Sequence, residues 1–372
     1  MTSRGGGNVI TISLAMIVKN EEEHLARCLD SIKDVVDEIN IVDTGSTDHT
    51  KEIARNYTDR LFDFKWIDDF AAARNESFSK ATMDYVLWLD ADDVLLPKDQ
   101  EQLLLLKKQL QSSVDAVSMF YHIRLDAQGK PTFSFRRNRL VKRSRSFHWH
   151  GFVHEYLEVY GNIVQSDAAV THLEGESSSS SDRNLKIFEK RLKSGTKFTP
   201  RDLYYYANEC FDHRKYDRAT EYYEKFLNTK KGWSEDCIDA CGKLAAIALI
   251  QGQKQKAIDY CLKSFTYDLP RAEHCCRLGS IYLSNNEVDK AIFWYELATR
   301  LDIERVKRAG SFLNTDYYGW LPHVQLCVCY DRLKKYSLAK LHNDKAKAYD
   351  PSNAYVKYND KYFDSLNLSQ PK

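Results

Sequence analysis

The stretch Tyr85-Val86-Leu87-Trp88-Leu89-Asp90-Ala91-Asp92-Asp93 joins an apolar run to three carboxylates within four positions. Apolar runs of this length with aromatic and branched residues are typical of buried strands. Carboxylates at the carboxyl end of such a strand lie where open α/β sheets bind ligands. Asp90 and Asp92 would share one face of a continuing strand, and two hard oxygen ligands on one face suit Mg²⁺ or Mn²⁺. The alternative is a strand followed by an Asp-rich turn that binds no metal.

Strand-like and helix-like segments alternate on both sides of this stretch. Strands are predicted over residues 10–18, 38–43 and 61–64 before it, and over residues 114–123 and 168–173 after it. Because such alternation gives parallel strands joined by helices, the first half of the chain predicts a mostly parallel sheet wound by helices.

Bulk properties limit the class of protein. The chain has 372 residues, enough for two domains, and its 43% hydrophobic and 29% charged content is that of a soluble globular protein. A formal charge of +1 gives no bias toward nucleic acid, and the basic stretch 133–143 is too isolated to change that. Nine cysteines without disulfide-type spacing predict reduced thiols and a cytoplasmic location. No apolar run is long enough for a transmembrane segment, and residues 1–8 are predicted to be a disordered leader.

Four motifs occur in one order along the first half: Met-Ile-Val-Lys-Asn-Glu-Glu at 16–22, Ile-Val-Asp-Thr-Gly-Ser-Thr-Asp at 41–48, Ala-Arg-Asn at 73–75 and Leu-Asp-Ala-Asp-Asp at 89–93. In order and spacing they resemble the nucleotide-sugar-binding half of a family 2 glycosyltransferase. The resemblance implies a GT-A fold, an α/β Rossmann-like catalytic domain, over residues 9–173. It also implies a UDP-sugar donor and a divalent ion, Mg²⁺ or Mn²⁺.

The same resemblance implies a set of donor-site residues, which are Val18, Asn20, Glu21, Asp43, Ser46, Arg74, Asp90, Ala91 and Asp92. A divalent ion held by Asp90 and Asp92 would neutralise charge on the leaving diphosphate. His172 fits the third protein ligand in position, although a lone His is more often a core or surface residue. Asp93 is interpreted as a structural acid.

Three of these residues have a second interpretation. The resemblance assigns Asp43 to the imide N–H of uracil, whereas a turn-forming Asp ahead of Gly45 is the alternative. Glu21 either lines the donor site or is a helix-terminal acid. Arg74 either binds phosphate or sugar, or forms a salt bridge that fixes the Asp90 loop.

The segment Phe147-His148-Trp149-His150-Gly151-Phe152-Val153-His154-Glu155 is predicted to face the acceptor. Its Gly-x-Val-His-Glu part resembles the subgroup that includes bacterial peptide S- and O-glycosyltransferases and lipopolysaccharide-core enzymes. An inverting displacement needs a base on the acceptor side, for which Glu155 is the first candidate and His154 the second. Trp149 is predicted to offer an apolar platform to a sugar, beside His150. A structural His-Glu pair that shapes the loop is the alternative.

Beyond a linker predicted at 174–199, the composition becomes helical. Alanines recur at Ala219, Ala257, Ala291 and Ala339, and the middle interval matches the tetratricopeptide (TPR) period of about 34 residues. The pattern resembles a TPR solenoid of about four helix pairs over residues 200–355, followed by a tail at 356–372.

The aromatic stretch 308–320 interrupts the repeat period. It is predicted to contact the acceptor through Tyr317 and Tyr318 or to pack against the catalytic half. An ordinary extended inter-repeat helix is the alternative. Because TPR arrays bind peptides or self-associate, a peptide or protein acceptor and a homodimer are both predicted.

The sequence therefore predicts an inverting, metal-dependent enzyme that moves a hexose from a UDP-sugar to a Ser, Thr or Cys side chain. The S-glycosyltransferases of glycopeptide bacteriocins resemble it in joining these motifs to a helical repeat domain. One alternative acceptor is a cell-envelope glycan or lipid-linked sugar. A second alternative is a non-catalytic TPR scaffold with a vestigial sugar-nucleotide domain.

Overall fold

The computed structural model describes residues 9–125, 129, 131–173, 182–309 and 314–366. The predicted leader at 1–8 and the serine-rich part of the predicted linker lie outside these residues. The chain divides into two compact units, Met1–Thr196 and Lys197–Lys372.

The first unit contains the alternating strands and helices that the sequence predicts. The strands are β1 Ile12–Val18, β2 Glu38–Asp43, β3 Leu61–Asp63, β4 Tyr85–Trp88, β5 Asp93–Val94, β6 Ala116–Leu125, β7 Pro131–Lys142, β8 His148–His150, β9 Tyr156–Glu158 and β10 Ile163–His172. The helices are α1 Leu25–Asp30, α2 Thr50–Arg55, α3 Phe70–Ser79, α4 Pro97–Gln109 and α5 Arg183–Lys193.

Within the described residues, eight strands form one sheet in the order β3-β2-β1-β4-β7-β6-β10-β5. The first four strands of this order are parallel, and β10 also runs parallel to β6. β7 is antiparallel to both β4 and β6, and β5 is antiparallel to β10. The predicted α/β fold with a mostly parallel sheet is confirmed. Since β1, β2 and β4 are parallel neighbours, the acidic loops that follow them meet at one edge.

The central strands are buried on both faces, which explains their continuous apolar sequences. Every residue of β2 and β4 is buried. Leu25 and Leu29 of α1 and Leu103 of α4 pack on one face of the sheet. This packing holds the ends of β1 and β4 in fixed positions and so positions the acidic loops.

Glu38 on β2 is a buried carboxylate with several donors around it. It accepts hydrogen bonds from Ser13 Oγ, from Asn40 Nδ2 at 2.9 Å, and from Thr82 N and Oγ1 at 3.0 and 2.7 Å. Arg60 Nε lies 3.1 Å from Oε1. Burial alone would raise the pKa of Glu38, but these hydrogen bonds, Ser13 first, hold that pKa at about 2. The network joins β1, β2 and the loop before β4.

Glu38→Gln is expected to lower the free energy of unfolding by roughly 2–3 kcal/mol at pH 7, because the amide cannot accept all of these hydrogen bonds. The folded pKa lies below the unfolded value of about 4.3, so the stabilisation is present above that pH and is lost as pH falls through the folded pKa. Urea unfolding at pH 7 and at pH 3 measures this, with exposed Glu52→Gln as the control. If the difference in unfolding free energy between wild type and Glu38→Gln were not smaller at pH 3 than at pH 7, the low folded pKa of Glu38 would be contradicted.

The second unit is helical throughout its described part. Its helices are α6 Pro200–Asp212, α7 Tyr216–Asn228, α8 Ser234–Ile250, α9 Lys254–Ser264, α10 Ala272–Ser284, α11 Val288–Ala298, α12 Ile303–Ala309, α13 Trp320–Arg332, α14 Tyr336–Tyr349 and α15 Ala354–Ser365. Successive helices pack as the pairs α6–α7, α8–α9, α10–α11 and α13–α14. This arrangement confirms the predicted TPR solenoid.

The repeat residues lie where helices cross closely. All four repeat alanines, at positions 219, 257, 291 and 339, are fully buried. Gly279 of α10 faces the Tyr295 ring of α11, and a Cβ at residue 279 would lie 2.7 Å from it. Small residues on one helix and an aromatic ring on the next therefore set the spacing of this pair.

The segment before α13 departs from the repeat. α12 and a 3₁₀ turn at Thr315–Tyr318 occupy it, and residues 310–313 lie outside the described part. At the carboxyl end, α15 extends past residue 355, where the sequence predicts a tail, because Val356 and Phe363 are buried. In the parts of the chain that the structure describes, no helix is long and apolar enough to cross a membrane. All nine cysteines are buried and unbridged.

Candidate active site

The loops after β1 and β2 are joined by hydrogen bonds between predicted donor-site residues. Asn20 adopts a left-handed backbone conformation with φ of 56°. Its N–H donates to Ser46 Oγ at 3.0 Å, and its Oδ1 accepts from the Thr47 N–H at 2.8 Å. The carbonyl of Val18 accepts from the Thr44 N–H at 2.9 Å. Val18, Asn20 and Ser46 therefore fix the loops at the edge where a donor would bind.

Asp43 ends β2 and is only 1% exposed. Its Oδ2 accepts hydrogen bonds at 3.0 Å from the N–H groups of Gly45 and Ser46, and lies 3.4 Å from Lys51 Nζ. Lys51 also pairs with Asp63 at 2.5 Å. The turn-forming role that the sequence left open is thus observed. Binding of a uracil imide to Asp43 stays a prediction, since a carboxylate can accept further hydrogen bonds.

Two acids that follow β4 meet the last residue of β10. Ligand atoms of Asp92, Asp93 and His172 all lie within 4.8 Å of one another. His172 Nδ1 is 3.4 Å from Asp92 Oδ1 and 3.8 Å from Asp93 Oδ1. The carboxylates of Asp92 and then Asp93 raise the pKa of His172 to about 10. The antiparallel pairing of β10 with β5, in which His172 is opposite Asp93, creates this cluster.

Asp93 makes contacts that agree with the structural role that the sequence suggests, and it also belongs to this cluster. Its Oδ2 lies 3.0 Å from Arg139 Nη1 and accepts the Asp90 N–H at 3.0 Å, so it does fix the loop. Its Oδ1 is buried without a hydrogen-bond partner among the described residues. Asp93 thus lies in a cluster with Asp92 and His172. The predicted ligand Asp90 instead accepts a hydrogen bond from Arg74 through one of its carboxylate oxygens.

The donor set fits a hard divalent ion. Two buried atoms, Asp93 Oδ1 and His172 Nδ1, have no hydrogen-bond partner in the described structure. Burial, followed by the charges of Asp92 and Asp90, raises the pKa of Glu21 to about 7. Carboxylate oxygens with one imidazole suit Mg²⁺ or Mn²⁺, and the surplus negative charge would be relieved by a cation.

Arg74 connects the acidic loop to the predicted acceptor side. Its Nη2 donates to Asp90 Oδ1 at 2.7 Å and its Nε donates to Glu155 Oε1 at 2.6 Å. The guanidinium lies 5.2 Å from the Trp88 ring and 4.9 Å from the Trp149 ring. Burial opposes ionisation of Asp90, but the charges of Arg74, Arg139 and Arg137, with the Arg74 hydrogen bond, together outweigh it and lower the pKa of Asp90 to about 2. The salt bridge that the sequence left as an alternative is therefore present, and it includes both carboxylates.

Trp149 is buried, and it does not lie where its predicted role as a platform for a sugar would place it. Its ring is 4% exposed and packs edge-to-face on Trp88 at 4.8 Å and on Phe78 at 5.8 Å. Asn75 holds its backbone, since Nδ2 donates to the Trp149 carbonyl at 3.0 Å and Oδ1 accepts its N–H at 2.9 Å. A buried ring offers no face to a sugar, so Trp149 instead supports Arg74.

The remaining acceptor-side residues follow in a short loop. Gly151 and His154 both have positive φ, 92° and 52°, which turns the chain before Glu155. His150 Nε2 lies 3.1 Å from Glu158 Oε2 on the exposed side of the β8–β9 hairpin. Ala91 is buried between Asp90 and Asp92. The choice of base between Glu155 and His154 stays a prediction.

Tyr317 and Tyr318 lie in the second unit. The Tyr318 hydroxyl lies 3.3 Å from Glu273 Oε2, to which it donates, and 3.3 Å from the Ala272 N–H, from which it accepts. These contacts hold the 3₁₀ turn on α10. An acceptor role for both tyrosines stays a prediction.

Sequence reasoning did not single out Arg137, Arg139 or Asn75. The basic stretch 133–143 was recognised, but several arginines in a row gave no sign of which ones face the acids. Arg139 proves to be fully buried, 3.9 Å from the Trp88 ring and paired with Asp93. Asn75 belongs to the Ala-Arg-Asn motif, which by itself assigns it no separate role.

Two family models match the chain. Residues 13–156 match glycosyl transferase family 2, and residues 272–302 match the tetratricopeptide repeat. The first range contains all four motifs and the β8 strand, and the second contains the α10–α11 pair. Both family resemblances predicted from the sequence are confirmed.

Several relatives share one or both parts. A TPR repeat-containing protein of Synechococcus elongatus is 48% identical over 91 residues, 24% of this chain and 23% of that protein. The SPbeta prophage-derived glycosyltransferase SunS of Bacillus subtilis is 27% identical over 272 residues, 68% of this chain and 61% of SunS. An uncharacterized glycosyltransferase of Rickettsia typhi is 34% identical over 92 residues, 25% of this chain and 31% of that protein. The chain spans less than two thirds of the length of each of these relatives.

Two solved structures are similar to parts of this chain. YrrB, a TPR protein with an unusual peptide-binding site, has a TM-score of 0.37 and 17% identity, covering 48% of this chain and 83% of YrrB. Glucosyl-3-phosphoglycerate synthase of Mycobacterium tuberculosis, in complex with Mn²⁺ and UDP-glucose, has a TM-score of 0.36 and 16% identity, covering 51% and 81%. These TM-scores are too low to support an argument about the site.

Proposed function

We propose that this chain, which contains a family 2 glycosyltransferase domain and tetratricopeptide repeats, is an inverting, metal-dependent hexosyltransferase. It transfers a hexose from a UDP-sugar to a Ser, Thr or Cys side chain of a peptide or protein. The observation that carries the proposal is the cluster of Asp92, Asp93 and His172, with the charges of Asp92 and Asp90 acting on Glu21, within a chain that matches the family model.

The donor is proposed to bind across the ends of β1, β2 and β4. Asp43 accepts the imide N–H of uracil, and the diphosphate lies toward Asp90 and Asp92. When bound, Mg²⁺ or Mn²⁺ held by Asp92 and His172, with Asp90 or Asp93, supplies a positive charge that stabilises the leaving diphosphate. This arrangement agrees with the unpartnered oxygen and nitrogen atoms found there.

The acceptor is proposed to approach from the side of Glu155. Its O–H or S–H gives the proton to Glu155, or to His154, as its oxygen or sulfur bonds to the sugar C1. The bond from C1 to the diphosphate oxygen breaks at the same time, and the electron pair leaves with UDP. Because attack and departure occur on opposite faces, the configuration at C1 inverts. Arg74 holds Glu155 Oε1 in place through its Nε, at 2.6 Å.

A peptide acceptor is proposed because the second unit is a TPR solenoid, an architecture that stacks helix pairs into an extended concave surface. Tyr317 and Tyr318 are proposed to contribute to acceptor binding, and the repeats are proposed to form a homodimer. The reduced, buried cysteines agree with a cytoplasmic location. A cell-envelope glycan or lipid-linked sugar is the alternative acceptor.

Incubation of the purified chain with UDP-glucose, UDP-GlcNAc or UDP-galactose and a peptide panel tests the proposal. Mass spectrometry should detect addition of one sugar to Ser, Thr or Cys peptides, with the matching Ala peptides as controls. The same reaction should stop with EDTA and resume with Mn²⁺. Transfer to oligosaccharides alone would favour the glycan alternative, and UDP-sugar binding without transfer or hydrolysis would favour a non-catalytic scaffold.

A further inference from the structure

Arg137 lies beside the acidic loop that follows β4, at the proposed donor site. β7 runs antiparallel to β4 with Leu140 opposite Leu87, so residue 137 lies past the end of β4, beside Asp90. Its guanidinium is 5.0 Å from the Tyr121 ring and 5.7 Å from the Trp88 ring. The charge of Asp90 acts on it electrostatically. The pairing of β7 with β4 thus brings a cation to the acidic edge.

Arg137 differs from its two neighbouring arginines in having no anionic partner. Arg74 pairs with Asp90 and Glu155, and Arg139 pairs with Asp93. Within the described residues, Arg137 makes ring contacts only, with no hydrogen bond or ion pair. Arg137 is partly exposed, and none of its nitrogen atoms is among the buried polar atoms that lack a partner, so its five N–H donors are open to water and to a ligand that enters the site.

The surrounding carboxylates contact other side chains and not Arg137 in the described structure. Arg74 and Arg139 already bond Asp90 and Asp93, and Asp92 lies beside His172. The Arg137 donors are therefore available to an anionic ligand at this edge. Aromatic rings on its faces leave the guanidinium edge as the part that can donate to a planar or tetrahedral oxyanion.

We propose that Arg137 binds the sugar-bearing phosphate of the donor and stabilises it as the leaving group. This inference rests on the proposed function. When the C1–O bond breaks, the electron pair stays on that phosphate, so one negative charge is added to the diphosphate. A fixed guanidinium with two parallel N–H donors stabilises the added charge without moving, and a lysine cannot reproduce both bonds. The anion is a phosphate rather than a carboxylate of the acceptor, because Arg137 lies beside Asp90 at the donor side.

The test compares ligands that differ by one phosphate. Calorimetric titration of the full chain in Mn²⁺ with UDP, UMP and uridine gives three dissociation constants for wild type, Arg137→Gln and Arg137→Lys. In Arg137→Gln, UDP should bind about 10–100-fold more weakly, as expected for loss of a bidentate charged contact, with UMP and uridine unchanged within about twofold. The UDP affinity of Arg137→Lys should lie between those of wild type and Arg137→Gln. Arg136→Gln removes a charge from the same strand, where Arg136 instead bonds the Ser118 and Ser166 carbonyls, and should keep the wild-type ratio of UDP to UMP affinity.

Two results would overturn the inference. One is an unchanged UDP affinity in Arg137→Gln with a raised KM for the acceptor, which would make Arg137 an acceptor-binding residue. The other is an equal loss of affinity for UDP, UMP and uridine, which would indicate a structural role. A wild-type chain that binds none of the three would instead refute the UDP-sugar donor, so failure of the proposed function is recognised separately.

Discussion

Asp92→Asn is expected to lower the rate of sugar transfer about a thousandfold in saturating UDP-sugar and Mn²⁺. Asp92 is the acid that belongs both to the predicted ligand pair and to the observed cluster with His172. An amide keeps the shape of the side chain but removes its charge, so affinity for a divalent ion falls. The rate is measured as release of UDP with and without acceptor peptide.

A second measurement separates metal binding from general damage. Wild-type chain should melt at a higher temperature in Mn²⁺ than in EDTA, because an ion that binds only the folded state stabilises it. Asp92→Asn should lose that shift while melting normally in EDTA. Asp34→Asn, at an exposed acid with no role in the site, should keep both the shift and the activity. Full activity of Asp92→Asn, or activity unaffected by EDTA, would refute the metal assignment.

Arg74→Gln is expected to lower the free energy of unfolding by about 3–5 kcal/mol at pH 7, since breaking a buried ion pair leaves its carboxylates uncompensated. Transfer activity should fall with it, because Asp90 and Glu155 lose the guanidinium that fixes them. Chemical denaturation measures the first effect and UDP release measures the second, at a temperature where the variant is folded.

The pH dependence of this variant follows from the pKa of Asp90. In wild type that pKa is held at about 2, below the unfolded value of about 3.9. The stabilisation is therefore present above the unfolded pKa and is lost as pH falls through the folded one. The free energies of unfolding of wild type and Arg74→Gln should differ most at neutral pH, and the difference should shrink between about pH 4 and pH 2.

Two control variants test whether the effect of Arg74→Gln comes from loss of the two ion pairs. Arg55→Gln removes an exposed arginine of α2 and should change stability by less than about 0.5 kcal/mol. Arg74→Lys keeps the charge but cannot bridge two carboxylates, so it should lie between wild type and Arg74→Gln. A stable and active Arg74→Gln would show that the ion pairs do not position the site.

Local patterns in the sequence were sufficient to predict the strands, the repeat helices and the acidic loop after β4, which forms one side of the candidate site. Residues 38–43 were predicted as a strand ending in an acid, and β2 has those bounds. β4 and its acids, and the buried alanines of the repeats, also follow from residues close together in the chain. Burial on both faces produces continuous apolar runs, and close helix crossing requires small residues, so both leave a local signature.

The sequence by itself therefore determined the α/β fold, the helical repeats and the acidic loop after β4. Only the tertiary structure decided what that loop contacts. Asp93 meets His172 through an antiparallel pairing of distant strands, and Arg74 reaches Glu155 across 81 positions of the chain. Trp149 turned inward for the same reason, since a strand places alternate residues on opposite faces and only the packed sheet decides which face is covered. Side-chain partners of this kind depend on strand order and register, which no local pattern encodes.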